Sequence, residues 1–156
     1  MKMKAAVLFE LNKPIRIMDL PVPEPKEGQV LVKMAYSGIC HTQLLEIAGK
    51  NTAGPMNPNL LGHEGSGIVE KVGKYVKKVK KGDHVILSWI KGTGANILPN
   101  PYFYKGQKIN VGYVTTFNEY SLASENRITP ITKKMPLKEA ALIGCSAATG
   151  IGAVIN

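Results

Sequence analysis

The 156-residue sequence contains only two cysteines, Cys40 and Cys145, and has no long apolar run. A closed structural zinc site usually draws on more thiolates than this chain possesses. No stretch approaches the roughly 20 apolar residues of a membrane-spanning helix, and the apolar run after the basic first residues is too short for a signal peptide. Because there is no export signal, we expect a cytoplasmic protein with reduced thiols and no membrane partner.

Arginine is almost absent, since Arg16 and Arg127 are the only two, although the net charge is +9. Such a charge can serve nucleic-acid binding. However, the densest basic cluster, residues 71–81, alternates lysines with valines and offers only Tyr75 to stack on a base. This pattern is typical of solvated strand edges. We therefore expect no nucleic-acid partner and assign the positive field to anionic cofactor phosphates.

The glycine pattern G-x-G-x-x-G, which cradles the pyrophosphate of a dinucleotide, is also missing. The nearest match, Gly65-Ser66-Gly67, continues with Ile, Val and Glu and so lacks the third glycine. We therefore expect this chain to contain no Rossmann domain.

Short segments with strand periodicity, separated by glycine and proline, make up most of the chain. Seven segments are predicted as strands: 3–9, 15–20, 30–36, 65–72, 84–89, 113–117 and 119–123. A short helix is predicted over 43–48, a surface loop over 50–62 and an irregular segment over 90–112. Many short strands with glycine and proline turns predict a mainly β fold with α elements, built as a small partly open barrel.

The pattern changes after Pro136, where apolar helical periodicity begins. Cys145 is expected inside a glycine-interrupted helix of this segment. We therefore divide the chain into a barrel over residues 1–136 and a helical segment over residues 137–156.

Three separate segments hold residues that suit a zinc ion: Cys40, His63 and Cys145. Two thiolates and one imidazole leave the fourth tetrahedral position open for water or substrate, as a catalytic zinc requires. The spacing contains neither C-x-x-C nor H-x-x-x-H, however, and two distant cysteines are also typical of small buried residues. The residues by themselves leave both interpretations open.

The sequence resembles the medium-chain, zinc-type alcohol dehydrogenases in four motifs: Gly-Ile-Cys-His-Thr (38–42), Leu-Gly-His-Glu-Gly-Ser-Gly-Ile-Val-Glu-Lys-Val-Gly (61–73), Lys-Gly-Asp-His-Val (81–85) and Leu-Ile-Gly-Cys-Ser-Ala-Ala-Thr-Gly-Ile-Gly-Ala-Val (142–154). The last motif is similar to the class III, glutathione-dependent formaldehyde dehydrogenase branch. The resemblance implies a GroES-like partly open barrel with peripheral helices. It also implies that Cys40, His63 and Cys145 bind one catalytic zinc, and that NAD is held mainly by a Rossmann domain outside this chain.

Further roles follow from the same resemblance. Thr42 corresponds to the hydroxyl that takes the alcohol proton, although its local sequence also suits a helix N-cap. His41, Thr42 and Thr149 are expected to contact the cofactor. Glu64 is expected close to the metal as a catalytic carboxylate, although it could equally be an ordinary residue at a strand start. Trp89 is expected in the wall of the substrate pocket, although sequence alone favours a core position.

Three positions depart from the family pattern. Gln43 stands where relatives usually have an aspartate that supports the zinc-bound histidine, and losses of this kind typically weaken metal binding by about 10–100-fold. Leu45 stands where many relatives complete a proton relay with histidine. The segment 90–112 contains no cysteine, so the structural zinc that many relatives bind there is not expected.

We therefore expect the N-terminal catalytic-domain portion of a zinc-dependent alcohol dehydrogenase, acting on a small alcohol or aldehyde and inactive without its nucleotide-binding domain. Without that domain, the apolar segment 137–155 is expected to be covered by a second copy or to expose a patch that promotes association, and a homo-oligomer is expected. The alternative is a non-catalytic small barrel that serves as a binding module, either metal-free or binding an anionic partner.

Overall fold

The computed structural model describes residues 1–50 and 58–155. Within these ranges the chain forms the strands β1 Lys2–Leu8, β2 Arg16–Pro21, β3 Gln29–Ser37, β4 Asn59–Leu60, β5 Glu64–Val72, β6 His84–Ser88, β7 Tyr102–Tyr104, β8 Gln107–Ile109, β9 Tyr120–Ser124 and β10 Ile128–Ile131. The helices are α1 His41–Ile47, α2 Leu137–Ala140 and α3 Ser146–Ile155, and a 3₁₀ turn spans Glu125–Arg127. The fold is mainly β with short helices, as the sequence predicts.

The larger sheet is antiparallel throughout and has the strand order β10-β6-β5-β3-β9. Pro130 lies in β10, an edge strand of this sheet, and edge strands are where a residue without an N–H is tolerated. The strands close over one apolar cluster: Val30, Val32, Val69, Val79, Val85, Leu87, Val114, Ala123 and Ile128. This sheet matters for function because β3, β5 and β6 end beside the three predicted metal ligands.

A smaller antiparallel sheet, in the order β2-β1-β4, packs with the hairpin β7-β8 around a second cluster. Strand β1 alternates strictly at its start, with Met3 and Ala5 buried and Lys2 and Lys4 exposed. A period of two places one face of the strand on the core and the other in water. Val7 of β1 also belongs to the cluster, and its remaining members come from four other strands: Leu20, Leu60, Tyr102 and Ile109.

The carboxylate of Glu125 joins distant loops of the barrel. It accepts main-chain N–H groups from Lys77 at 2.6 Å, Lys78 at 2.8 Å and Ala95 at 3.1 Å. Burial alone would raise the pKa of this carboxyl, but the three N–H donors and the nearby Lys78 charge lower the pKa below its ordinary value. The ionised side chain therefore stabilises the folded loops.

Two predicted loops contain strands, and one predicted strand is a loop. The segment 90–112 holds the hairpin β7-β8, whose turn places Lys105 and Gly106 at φ +49° and +80°. Such a pair of positive φ angles marks a two-residue hairpin turn. Residues 51–57 of the predicted loop 50–62 lie outside the described residues, and β4 occupies part of its remainder. The predicted strand 113–117 is wrong, because Thr116 and Phe117 donate their N–H groups to the single carbonyl of Leu61 and join no ladder.

The end of the chain also differs from the prediction. Cys145 does not lie inside a helix but in the turn between α2 and α3, and Gly144 precedes it. Helix α3 buries none of its residues within the described chain. None of the described helices combines the length and the apolar character needed to cross a bilayer.

Candidate metal centre

Three elements bring their ends together at one point of the barrel. Cys40 is the N-cap of α1, three residues after the end of β3. His63 directly precedes β5, and Cys145 directly precedes α3. Within the described part of the chain, one ligand atom from each of these three residues lies within 4.8 Å of the other two. Zinc bonds to sulfur and nitrogen are about 2.0–2.3 Å long, so small side-chain rotations would let the three atoms share one ion.

One nitrogen of the His63 ring has a hydrogen-bond partner and the other has none within the described chain. Its Nδ1 atom lies 2.8 Å from Nε2 of Gln43, whereas its own Nε2 atom is buried without a hydrogen-bond partner within the described chain. Burial lowers the pKa of His63, against the opposing effect of the Glu64 carboxylate, so the ring is neutral near pH 7. A neutral imidazole with one orphaned nitrogen beside two sulfurs fits a zinc ligand set.

The surroundings of Cys145 favour the protonated thiol in the absence of a metal ion. Burial raises its pKa, and the neighbouring Cys40 and Glu64 add to that rise, while hydrogen bonds from Thr149 and Trp89 oppose it. The Thr149 hydroxyl lies 3.9 Å from the Cys145 sulfur. Because a coordinating thiol loses its proton, metal binding at this site would release one.

Glu64 ties the three ligand segments to each other. Its side chain is completely buried, and one carboxylate oxygen, Oε2, accepts the N–H groups of Cys145 at 3.1 Å and Ser146 at 2.9 Å. The other oxygen, Oε1, accepts the Ser146 hydroxyl at 2.5 Å. The main-chain carbonyl of Glu64 accepts the N–H of Gly38, two residues before Cys40, at 3.2 Å. Glu64 therefore acts on the site through the main chain of the ligand segments.

Close backbone approach explains the glycine before Cys145. A Cβ atom on Gly144 would collide with the carbonyl oxygen of Leu87 and lie 3.2 Å from Cβ of Glu64. The Gly144 carbonyl in turn accepts the hydroxyl of Ser88 at 2.6 Å. Only glycine lets this turn press against β6 and present the Cys145 sulfur to the other ligands.

An open cleft of about 530 Å³ lies against the ligand His63. Its lining includes Gln43 and Glu46, residues 59–63 before β5, and residues 89–91 after β6. Its lining also includes the aromatic and cationic side chains Trp89, Lys91, Tyr113 and Arg127. A cleft with apolar walls and a few polar groups beside a candidate metal site could admit a small molecule.

The structure places the other predicted site residues around this centre. His41 and Thr42 are exposed in the first turn of α1, and the Thr42 hydroxyl lies 3.8 Å from the Cys40 sulfur. The N-cap alternative for Thr42 is wrong, because the cap position belongs to Cys40. Thr149 is exposed one turn into α3. Trp89 is 53% exposed in the cleft wall, so the core alternative for Trp89 is also wrong.

Two features of the site escaped the sequence analysis. Arg127 is buried beside the cleft, where it donates to the main-chain carbonyl of Trp89 and lies 4.6 Å from the ring centroid of Tyr113. No sequence motif marks it. The second feature is the direction of the Gln43 amide, whose nitrogen faces the His63 ring. Its oxygen accepts the main-chain N–H of Cys40 at 3.0 Å, and this bond fixes the direction of the amide.

Comparison with known proteins identifies the fold that carries this centre. Residues 26–133 match the model of the alcohol dehydrogenase GroES-like domain. The chain belongs to this family. The predicted resemblance and the predicted GroES-like barrel are therefore confirmed, and the match includes two of the three candidate ligands, Cys40 and His63.

Individual relatives also match the residues outside 26–133. The S-(hydroxymethyl)glutathione dehydrogenase of Synechocystis sp. is 35% identical over the whole chain, which covers 49% of that relative. The class-3 alcohol dehydrogenase of Drosophila melanogaster is 35% identical over 98% of the chain, which covers 47% of it. The crystal structure of benzyl alcohol dehydrogenase from Acinetobacter calcoaceticus superimposes with a TM-score of 0.83 at 31% identity, with coverage of 100% of this chain and 48% of that one. The chain thus spans about half the length of these relatives.

Proposed function

We propose that residues 1–156 form the metal-binding portion of the catalytic domain of a zinc-dependent, NAD-linked alcohol dehydrogenase. The observation that carries this proposal is the convergence of Cys40, His63 and Cys145 within 4.8 Å, with Nε2 of His63 buried and unpartnered in the described chain. Homology to named alcohol dehydrogenases supports the reaction class. The substrate would be a small alcohol or the corresponding aldehyde.

Cys40, His63 and Cys145 would hold one zinc ion, which supplies Lewis-acid polarisation of the substrate oxygen. Thr42 is suited to proton transfer. Its hydroxyl lies 3.8 Å from the Cys40 sulfur, and the residue is exposed to an incoming substrate. In alcohol oxidation, Oγ1 of Thr42 would accept the hydroxyl proton of the substrate and pass its own proton to solvent. Trp89 would form one wall of the cleft that excludes water from the substrate.

Glu64 would serve this reaction as a positioning residue. Its carboxylate is engaged by the N–H groups of Cys145 and Ser146, so it holds the third ligand in place while the substrate binds. In this role Glu64 acts through the main chain of the Cys145 segment and not directly on the substrate.

The remaining parts of the proposal concern partners. Residues 1–136 would form the barrel, and the segment 137–156 would lead to a nucleotide-binding domain that holds NAD, with His41, Thr42 and Thr149 facing the cofactor. Helix α3 supports this arrangement because Ile151, Val154 and Ile155 are 59%, 86% and 76% exposed. A second copy of the chain in a homo-oligomer could cover the same face. Two free thiols accord with a cytoplasmic location.

Metal analysis tests the proposal directly. The chain is purified without added zinc, and its metal content is measured by mass spectrometry for the wild type, His63→Gln and the matched control His84→Gln. We expect one zinc per chain in the wild type and the control, and a sharp loss in His63→Gln. Full zinc content in His63→Gln, or a wild type that takes up no zinc even after incubation with Zn²⁺, would refute the proposal and favour the alternative of a small binding barrel.

A further inference from the structure

We propose that Gln43 holds the His63 ring in the tautomer that opposes zinc binding, so that this side chain limits the metal affinity of the centre. The inference rests on the proposed zinc site and concerns only the hydrogen-bond partners of its histidine. Three atoms decide it: the main-chain nitrogen of Cys40 and the two terminal atoms of the Gln43 amide.

The Cys40 nitrogen fixes which way the amide points. A main-chain N–H can only donate, so the Gln43 atom that lies 3.0 Å from it must be the oxygen Oε1. This bond also closes the first turn of α1, where Gln43 is the third helical residue and Cys40 the N-cap. The Gln43 side chain is 2% exposed, so water does not offer it other partners.

The amide orientation then fixes the proton on His63. The amide nitrogen Nε2 of Gln43 lies 2.8 Å from Nδ1 of His63. An amide nitrogen carries two hydrogens and accepts none, so Nδ1 must be the unprotonated acceptor. In a neutral imidazole the hydrogen then resides on Nε2, the buried nitrogen that has no partner in the described chain. That nitrogen is the one available to the two cysteine sulfurs.

Zinc ligation through Nε2 requires its lone pair, so the hydrogen must move to Nδ1. The new Nδ1–H group would meet the amide NH₂ of Gln43, and two donors would face each other. Rotating the amide by about half a turn would satisfy His63 but would set the NH₂ group against the N–H of Cys40. Gln43 can therefore satisfy either Cys40 or a zinc-ligating His63, but not both.

A carboxylate of the same length removes this conflict. Both oxygens of Glu accept hydrogen bonds, so Gln43→Glu could accept from Cys40 N–H and from His63 Nδ1–H without rotation. We expect this variant to bind Zn²⁺ about 10–100-fold more tightly than the wild type, measured by competition with a chromophoric chelator. Because the readout is a metal affinity, it needs neither NAD nor an alcohol.

A second measurement uses the wild-type chain alone. Correlation of ring ¹⁵N and ¹H signals identifies the protonated nitrogen, and the signals are assigned by comparison with His41→Gln and His84→Gln. We expect the hydrogen of His63 on Nε2 in the metal-free chain and on Nδ1 after Zn²⁺ is added. Circular dichroism confirms that each variant is folded.

The matched control is Leu44→Glu, which adds the same charge to the neighbouring position of α1. Leu44 is 56% exposed, so this carboxylate cannot reach His63, and we expect it to change zinc affinity by no more than about fivefold. An equal gain in Leu44→Glu, no gain in folded Gln43→Glu, or a metal-free His63 protonated on Nδ1 would overturn the inference. If no variant binds zinc, the proposed function fails, and the metal-free tautomer still decides the role of Gln43.

Discussion

Removing the Glu64 carboxylate tests whether this residue is the structural tie of the metal centre. The substitution is Glu64→Ala, with Glu64→Gln as the milder variant. In the alanine variant the buried N–H of Cys145 loses its acceptor, and so do the N–H and hydroxyl groups of Ser146. If Glu64 acted only on the metal, neither substitution would alter the stability of the metal-free chain.

The magnitude follows from the burial of these groups. An unsatisfied buried donor costs about 1–3 kcal/mol, and truncating a large buried side chain to alanine costs about 2–5 kcal/mol in general. Because Ser146 is exposed and water can replace part of its loss, we expect Glu64→Ala to lower the free energy of unfolding by about 3–5 kcal/mol. Glu64→Gln keeps an acceptor for both N–H groups and exchanges charged hydrogen bonds for neutral ones, so about 1 kcal/mol is expected.

Urea denaturation of the metal-free chain, followed by circular dichroism, measures both values. With a slope of about 2 kcal/mol per M, the alanine variant should unfold at a urea concentration about 1.5–2.5 M lower than the wild type. The control is Glu70→Gln, since Glu70 pairs with Lys81 at 3.1 Å on the surface and an exposed pair contributes less than about 1 kcal/mol. A midpoint for Glu64→Ala within the range of the Glu70→Gln control would refute the structural role.

Three further predictions concern the barrel, the Cys145 turn and the proton path. Glu125 has a depressed pKa in the folded chain, so its stabilisation is present above its ordinary pKa of 4.5 and is lost as the pH falls below it; the difference in unfolding free energy between wild type and Glu125→Gln should shrink over that range in urea titrations. Gly144→Ala should destabilise the chain by about 1–3 kcal/mol, whereas Gly150→Ala, where an added Cβ meets nothing within 4 Å, should not destabilise it in the same thermal melts. In a protein that includes the cofactor domain, Thr42→Val should lower the rate of alcohol oxidation by about 10²–10⁴-fold while Thr42→Ser retains activity; equal rates in steady-state assays would exclude the hydroxyl from proton transfer.

The sequence predicts those strands and helices that the local order of apolar and turn residues determines. Strand β3 and helix α1 lie on either side of residues 38–40 as expected, because an apolar run bounded by Gly28 and Gly38 favours a strand that ends before Cys40. The hairpin β7-β8 was missed although Lys105-Gly106 is a two-residue turn signal, since the surrounding glycines and prolines obscured the alternation. Its pairing depends on packing against β1 and β2, which no local window contains.

The candidate site likewise has features that the sequence predicts and features that it does not. The identities of Cys40, His63 and Cys145 can be read from their motifs, whereas their approach to within 4.8 Å depends on contacts between segments far apart in sequence. The direction of the Gln43 amide could not be predicted at all from residue type, because glutamine offers a donor and an acceptor of equal reach. Only the position of the Cys40 N–H selects between them.

Different residues of this centre therefore set the position of the Cys145 ligand and the location of the hydrogen on the His63 ring. Glu64 places the Cys145 segment through main-chain hydrogen bonds that need no metal, so the ligand atoms stand together before an ion binds. Gln43 adds nothing to that placement of Cys145 but determines which nitrogen of His63 carries the hydrogen. The two substitutions should consequently differ: Glu64→Ala lowers the stability of the metal-free chain by removing the acceptors of the Cys145 segment, whereas Gln43→Glu raises zinc affinity. A centre assembled by the metal itself would behave differently, because both substitutions would then act on stability only when zinc is present.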